Sequence, residues 1–278
     1  MTALTNTFKR ACSVGCQLVI VTMGLVGLFG MNDSRAAPSL LGPPEAYFDP
    51  QSAALLRAAM GKNAVEVREL ITAGANPNSQ GPHSNSKNTL QITLLGYAIV
   101  QRSQPALKLL IEAGANPLFA PRDGGRDAFS FAIIRNDGQM LEALYRSWPL
   151  AKVPAITQKE QAFEALKFDC ISCVQVMLEN GLPVGIQDGR GYNLVTVALS
   201  REDFEFAEWL IEDVGVPLDA VSSGGVTPAN HLQNQIGRYS PGTPIPDVVL
   251  RLQALMQTRG IVFPVETSAQ WRAVRGIK

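Results

Sequence analysis

The chain has 278 residues, of which 46% are hydrophobic and only 7% are aromatic. This length and apolar content predict one or two globular domains with a mostly aliphatic core, and they exclude a chain that is disordered throughout. The 24 basic and 24 acidic residues give a formal net charge of zero, which argues against a dedicated nucleic-acid binder because neutralising phosphates requires a basic excess. Two histidines and four cysteines leave little material for histidine chemistry, a multi-histidine metal site or a disulfide-dense scaffold.

The N-terminal segment has the organisation of a secretory signal peptide. Lys9 and Arg10 precede an apolar run at residues 18–29, and small residues surround a cleavage position after Ala36. We therefore expect an exported, periplasmic protein. The uncharged stretch at residues 11–31 is long enough to span a bilayer, so an uncleaved inner-membrane anchor, with the rest of the chain facing the periplasm, is the alternative.

A unit of about 33 residues recurs along the rest of the chain. The string AGANP stands at residues 73–77 and again at residues 113–117. In the same frame, alanines recur at Ala58, Ala98, Ala132, Ala165 and Ala198. Each unit reads as two short helices joined by a polar break. Because one helix pair cannot bury its apolar face alone, the units are expected to stack into a continuous core.

Small and conformationally free residues occupy the positions that such a stack needs. The recurring alanines allow neighbouring helices to approach closely. Gly74, Gly114 and Gly181 follow the second helix of their units, where glycine adopts the left-handed conformation without a Cβ penalty. Asp49 and Pro50 predict the N-cap and first residue of the first helix.

The units resemble ankyrin repeats, whose pattern opens G-x-T-P-L-H-x-A and closes L-L-x-x-G-A. Residues 93–98 read TLLGYA and residues 109–116 read LLIEAGAN. Residues 191–198 read GYNLVTVA, and residues 225–230 read GVTPAN. The resemblance covers about residues 49–262 and implies an all-α fold, an ankyrin-repeat solenoid of stacked helix pairs with projecting loops and β-turns.

The predicted organisation has four parts. Residues 1–36 are the signal peptide or N-terminal anchor, and residues 37–48 are a linker. Residues 49–264 form the ankyrin-repeat domain, with about six repeats. Residues 265–278 are a C-terminal cap or tail, in which Trp271 is expected to cover the last helix pair because a solenoid end needs a cap.

Three segments depart from the repeat pattern. Extra residues at 79–93 form a polar loop with turn signals. Residues 149–157, which are apolar and contain proline, are expected to be an irregular connection between the third and fourth repeats. The sixth repeat carries an insertion at residues 233–246, before a second helix predicted at residues 247–259.

The cysteine pair Cys170 and Cys173 is the feature most suggestive of chemistry. A redox motif of this spacing requires a βαβ context that the repeats lack, so two small apolar residues or a disulfide across one turn are the favoured interpretations. A zinc site would also need His83 and His231, which lie more than one repeat away on either side. No phosphate-binding glycine motif or nucleophile–base pair is present, and we expect no catalytic residues, no cofactor and no metal.

Binding is the activity that the resemblance implies, because ankyrin-repeat proteins bind other proteins through loop tips and first helices. The corresponding tips here are residues 84–88, 118–126, 187–192 and 220–224. Aromatic and arginine side chains are enriched at binding hot spots. The candidate partner-binding residues are Phe119, Arg122, Asp123, Arg126, Asp188, Arg190 and Tyr192. The alternative for Phe119 and Tyr192 is packing against adjacent loops.

The sequence therefore predicts an exported, bacterial-type ankyrin-repeat protein that is a non-catalytic protein–protein interaction module of the cell envelope. Its partner is expected to be another protein, with no nucleic acid bound and with membrane contact only through an uncleaved N-terminus. One hypothesis is an inhibitor or immunity protein that neutralises a secreted toxin or hydrolase. The alternative is a periplasmic scaffold or chaperone that supports an enzyme, for example in stress defence. An enzyme is the remote alternative.

Overall fold

The computed structural model of the chain describes residues 41–82, 91–121 and 125–277. Its α-helices are α1 (Pro50–Met60), α2 (Ala64–Thr72), α3 (Leu94–Val100), α4 (Gln104–Glu112), α5 (Ala128–Ile134), α6 (Gly138–Ser147), α7 (Ala155–Lys167), α8 (Ile171–Glu179), α9 (Leu194–Ser200), α10 (Phe204–Glu212), α11 (Pro228–Ile236), α12 (Asp247–Thr258) and α13 (Ser268–Val274). Two single 3-10 turns lie at Pro44–Ala46 and Leu150–Lys152. Strands β1 (Gln80–Gly81) and β2 (Ile92–Thr93) form a short antiparallel ladder in which Gln80 pairs with Thr93.

Helices α1 to α12 form consecutive pairs that stack along one direction. Each first helix packs against the next first helix, from α1 through α3, α5, α7 and α9 to α11. Among the second helices, α4 packs against α6 and α6 packs against α8. This arrangement confirms the prediction of an all-α solenoid of stacked helix pairs with projecting loops.

The stack depends on small residues at its centre. The recurring alanines are at most 3% exposed. These buried positions are Ala58, Ala98, Ala132, Ala165 and Ala198. A larger side chain at any of these positions would push neighbouring helices apart or force the packed side chains into unfavourable rotamers.

Glycines end the second helices as predicted. Gly74, Gly114 and Gly181 have φ angles of 93°, 99° and 97°. The amide of the next residue then bonds back to the helix, as when Ala75 N donates to Leu70 O. This closure satisfies carbonyls that the helix end would otherwise leave unpaired.

The asparagines of the two AGANP strings shape the turns that follow. The side-chain oxygen of Asn76 accepts the amide of Asn78 at 2.9 Å, and that of Asn116 accepts the amide of Leu118 at 3.0 Å. Asn78 also links the repeats, because its side-chain oxygen accepts Asn116 N at 2.7 Å and its amide nitrogen donates to Gly114 O. The second AGANP string therefore both ends a helix and, through Asn78, joins its repeat to the preceding one.

The N-terminal end of the stack is closed by aromatic side chains. Tyr47 and Phe48 are buried, and their rings contact Tyr97 at centroid distances of 5.8 and 6.1 Å. Both residues belong to the segment predicted as a linker at residues 37–48. That prediction requires a correction, since the packed core begins before Asp49. Asp49 itself caps α1 as predicted, accepting the amides of Gln51 and Ser52 at 3.0 Å.

The connection between the third and fourth repeats is more regular than expected. After the 3-10 turn, α7 begins at Ala155 and extends for 13 residues, so only part of residues 149–157 is irregular. The side-chain amide nitrogen of Gln158 donates to the carbonyls of Val153 at 2.8 Å and Leu150 at 3.1 Å. These bonds tie the connection to the helix and replace a projecting loop.

The C-terminal repeat follows the prediction closely. Helix α12 occupies the interval predicted for it, and α11 continues through the start of the predicted insertion to Ile236. Beyond α12, the Trp271 ring packs against Gly225, where an added Cβ would collide with it. Arg272 Nη1 donates to Gly224 O at 2.9 Å. Helix α13 thus lies over the loop that leads into the last helix pair.

None of the helices in the described part of the chain is both long enough and apolar enough to cross a bilayer. The predicted signal peptide or anchor at residues 1–36 lies outside the described residues. Its cleavage therefore remains a prediction.

Cys170 and Cys173 form a disulfide, with their Cα atoms 5.1 Å apart. Cys170 is the N-cap of α8 and both residues are fully buried. The bond joins the turn after α7 to the first turn of α8.

We expect reduction of this disulfide to lower the free energy of unfolding by about 2 kcal/mol, because closing so short a loop restricts the unfolded chain only modestly. Urea unfolding with and without dithiothreitol measures the loss. The Cys170→Ala/Cys173→Ala variant is the control and should not respond to the reductant. A wild-type midpoint that is unchanged after full reduction would contradict a stabilising role.

Candidate protein-binding surface

The described residues contain five of the seven predicted binding residues. Phe119 and Arg126 lie in the loop before α5, and Asp188, Arg190 and Tyr192 lie in the loop before α9. Arg122 and Asp123 fall outside the described residues, as does the predicted tip at residues 84–88. The structure thus places three of the candidates in one turn and the other two in a different loop.

The loop before α9 is a compact β-turn. Gln187 and Asn193 form a bridge across its base. Asp188 N donates to Tyr192 O at 2.8 Å, and Gly191 N donates to Asp188 O at 3.0 Å. The turn is therefore held by its own backbone before any partner arrives.

The Asp188 carboxylate stabilises this turn. It accepts the amides of Arg190 at 2.8 Å and Tyr192 at 2.9 Å, and it also accepts Arg190 Nε at 3.0 Å. Burial alone would raise the pKa of Asp188, but these hydrogen bonds and the arginine charge outweigh it and hold the pKa below its usual value. With its acceptors engaged locally, Asp188 positions its neighbours and is not itself a free binding group.

Arg190 and Tyr192 form the outward part of the turn. The Arg190 guanidinium lies 4.6 Å from the centre of the Tyr192 ring, a cation–π contact. The Arg190 side chain is still 69% exposed. Tyr192 is half-buried. It therefore packs in part against its surroundings, while a role in binding remains a prediction.

The neighbouring loop, before α11, is fastened to this turn. Ser223 N donates to Arg190 O at 2.9 Å. A Cβ added at Gly191, whose φ is 86°, would lie 3.0 Å from Ser222 Cα and 3.1 Å from Val221 O. We call residues 187–192 together with residues 220–224 the double tip, because the close backbone approach makes them one surface.

Arg126 connects to the fourth repeat and is not part of the double tip. Its Nη1 atom is 2.6 Å from Glu164 Oε1 on α7, and its guanidinium lies 5.8 Å from the centre of the Phe168 ring. The second carboxylate oxygen of Glu164 accepts Ser130 Oγ at 2.9 Å. Phe119 is half-buried in its loop. These contacts fix Arg126 against α7, with 44% of its side chain still exposed.

A polar cleft of about 350 Å³ opens between α5 and α7. We call it the α5–α7 cleft; it is lined by Asp127, Ser130, Thr157, Glu160, Gln161, Glu164 and Lys167. Burial raises the pKa of Asp127, and the nearby Glu164 charge raises it further, although hydrogen bonds from Ser130 oppose the shift. Burial, and then the Asp127 charge, also raise the pKa of Tyr145 on α6. The lining of the cleft is itself acidic, with three carboxylates against one lysine.

An apolar groove of about 310 Å³ lies on the other side of α7. We call it the α7 groove; it is lined by Ala155, Ile156, Gln158, Lys159, Leu182, Pro183 and Ile186. Ile156 is 56% exposed. Ile186 directly precedes Gln187 in sequence, so the groove runs into the base of the double tip.

The residues of α7 were missed by the sequence interpretation. Residues 149–157 are expected to be a connection, and residues 158–164 show no recognisable repeat opening, so neither segment is predicted to bind. The spacing of Glu160 and Glu164 could have indicated a shared acidic surface, because residues four apart lie on one face of a helix.

Metal-binding groups do not converge in the part of the chain that the structure describes, where no three side chains of His, Cys, Asp or Glu are grouped to hold an ion. His231 lies within α11. Burial lowers its pKa, and the charge of Arg238 lowers it further. His83 lies outside the described residues.

Comparison with known proteins identifies the repeat. The family model described as ankyrin repeats (many copies) matches residues 162–211. The solved ankyrin repeat domain of Bcl-3, described as a unique member of the IkappaB protein family, is 19% identical, with a TM-score of 0.58 over 78% of this chain and 90% of its own. EF0377, an ankyrin repeat protein, is 18% identical, with a TM-score of 0.47 over 73% of this chain and 97% of its own. No curated protein matches the chain. At 19% identity, the likeness to the Bcl-3 domain establishes the fold alone.

The Gly191→Ala variant should lose about 1–3 kcal/mol of unfolding free energy, because it combines a positive φ with a close approach to the neighbouring backbone. Gly189→Ala is the matched control in the same turn, since an added Cβ there meets nothing within 4 Å. Urea denaturation of both variants measures the difference. Equal stabilities would show that the double tip is not closely packed.

Asp127 and Asp49 should contribute to stability with opposite dependence on pH. The pKa of Asp127 is raised in the fold, so its contribution falls as pH rises above 3.8, the usual value. The pKa of Asp49 is lowered, since hydrogen bonds from Ser52 and Gln51 outweigh its burial, so its contribution is lost as pH falls. An asparagine side chain can still cap both helices, so these substitutions remove the charge and keep the N-cap. For each variant, the measured quantity is the unfolding free energy of wild type minus that of the variant, as a function of pH. This difference should fall with rising pH for Asp127→Asn and rise with pH for Asp49→Asn. Differences that change in the same direction for both variants would refute the prediction.

Proposed function

We propose that this chain, which has the fold of stacked ankyrin repeats, binds another protein through the double tip and the adjoining α7 groove. Ankyrin repeats are in general a non-catalytic interaction scaffold, so protein binding is the class of function that the repeats imply. The observation that carries the choice of surface is the exposed Arg190 guanidinium, which lies over the half-buried Tyr192 ring beside an apolar groove.

Rigid presentation favours this surface as a binding site. The Asp188 hydrogen bonds and the bond from Ser223 hold the turn before binding, so little conformational entropy is lost when a partner docks. Arginine and tyrosine are enriched among hot-spot residues, which typically lie next to well-packed apolar pockets. The α7 groove, with Ile156 exposed at its wall, provides such a pocket.

We further propose that the protein acts in the periplasm, where it neutralises a secreted toxin or hydrolase. The basic and apolar organisation of residues 1–36 supports export. The Cys170–Cys173 disulfide supports an oxidising compartment. Support for an enzyme in the same compartment, as scaffold or chaperone, is the competing role and is an outcome of the experiment below.

Affinity capture of the tagged chain from its own cell envelope, followed by mass spectrometry, tests the binding function. We expect one stoichiometric partner. Arg190→Ala should weaken its binding about tenfold or more, the loss expected of a hot-spot residue. Arg68→Ala is the control, because Arg68 is an exposed arginine on α2, away from the double tip.

The effect on the captured protein decides between the two roles. A partner whose activity is suppressed at one-to-one ratio supports the inhibitor, whereas one that loses activity or stability without this chain supports the scaffold. Unchanged binding by Arg190→Ala, in a variant with wild-type thermal stability, would place the interface elsewhere.

A further inference from the structure

We propose that the α5–α7 cleft receives an arginine side chain of the protein partner. This inference rests on the proposed binding function and extends it from the double tip to a second contact. Helix α7 joins the two surfaces, because Ile156 and Lys159 line the α7 groove while Glu160 and Glu164 line the cleft. A partner seated in the groove therefore lies beside the cleft.

Gln161 is the observation that points to a ligand. Its side chain lines the cleft and is only 2% exposed, yet neither its amide oxygen nor its amide nitrogen has a hydrogen-bond partner within the described residues. Buried polar groups are almost always paired, because an unpaired one carries a desolvation penalty. An arginine entering the cleft would donate to Gln161 Oε1, and a backbone carbonyl of the same partner segment would accept from Nε2.

The charges around Gln161 select a cation. Asp127, Glu160 and Glu164 contribute three carboxylates, against Lys167 as the one lysine lining the described cleft. Glu164 is paired with Arg126 at the rim, whereas Glu160 is in no ion pair among the described residues. An anion would meet repulsion here. A divalent metal ion is disfavoured because the carboxylates are not grouped to hold one.

Arginine fits this arrangement better than lysine. Its five donors lie in one plane and can reach several acceptors at once, while the lysine ammonium is a compact point charge. Arg126 already makes an arginine–carboxylate contact at the rim of the cleft, with its guanidinium 2.6 Å from a Glu164 oxygen. Further acceptors in the cleft are the Glu160 carboxylate and Gln161 Oε1, which stand on consecutive residues of α7.

The test is a titration of the isotope-labelled chain with Nα-acetyl-arginine amide, followed by NMR through the side-chain amide signals of Gln161. Nα-acetyl-citrulline amide is the matched probe, because it has nearly the same shape without the charge. We expect saturable shifts with the arginine probe and none with citrulline. Glu160→Gln should weaken binding about threefold or more, as expected for loss of one exposed ion pair. Glu179→Gln, the same charge change on α8, should not.

A second variant separates binding from folding. Gln161→Leu replaces the unpaired amide with an apolar side chain of similar size, so it should unfold at the same urea concentration as wild type or a higher one. It should nevertheless bind the arginine probe more weakly. A variant that folds but binds the probe as wild type does would overturn the role of Gln161.

Three results would overturn the proposal: no response to the arginine probe, an equal response to citrulline, or affinity unchanged in Glu160→Gln. Equal affinity for Nα-acetyl-lysine amide would overturn the choice of arginine. The titration needs no partner, so its failure is distinct from failure of the proposed function. A chain that captures a protein through Arg190 but ignores the arginine probe refutes the cleft alone.

Discussion

The structure depends on the fact that a pair of short helices cannot bury its apolar face alone. Every other feature follows from the need to stack one pair on the next. Buried alanines, each at most 3% exposed, allow the first helices to approach. Glycines with φ angles above 90° end the second helices of the first, second and fourth repeats and turn the chain towards the next pair. Asn78 then bonds across to Gly114 and Asn116, so the turn also serves as the joint between repeats.

The fourth repeat is where this regular scheme changes, and both recesses beside α7 arise there. Helix α7 has 13 residues where the first helices of the second, third and fifth repeats have seven. The additional turns replace a projecting loop and extend along α5. They add Thr157 and Glu160 to the cleft at the capped start of α5. In the fourth repeat a longer helix thus takes the place of a projecting loop. The polar cleft lies on one side of this helix and the apolar groove on the other.

The repeat frame could be predicted because its determinants are local. A glycine after a helix, an Asp-Pro pair before one and a regular alanine spacing each have a direct physical meaning in the sequence. The roles of the site residues could not be predicted in the same way. Asp188 has the composition of a binding residue, but its carboxylate is used by the amides of its own turn. Arg126 was correctly placed in a loop, but its partner Glu164 lies 38 residues further on, a contact that only tertiary packing creates.

The groups in the double tip are better suited to the proposed binding role than to proton transfer. A general acid or base needs an ionisable group that exchanges protons near neutral pH. The hydrogen bonds to Asp188 instead hold its pKa below the usual value, so the carboxylate stays charged and serves as a brace. What remains on the outside is a guanidinium stacked on a phenol ring, rigid and always charged. Under the proposed function, such a surface would select a partner by shape and charge, and the neighbouring wall of α7 would favour a segment that carries both apolar and basic side chains.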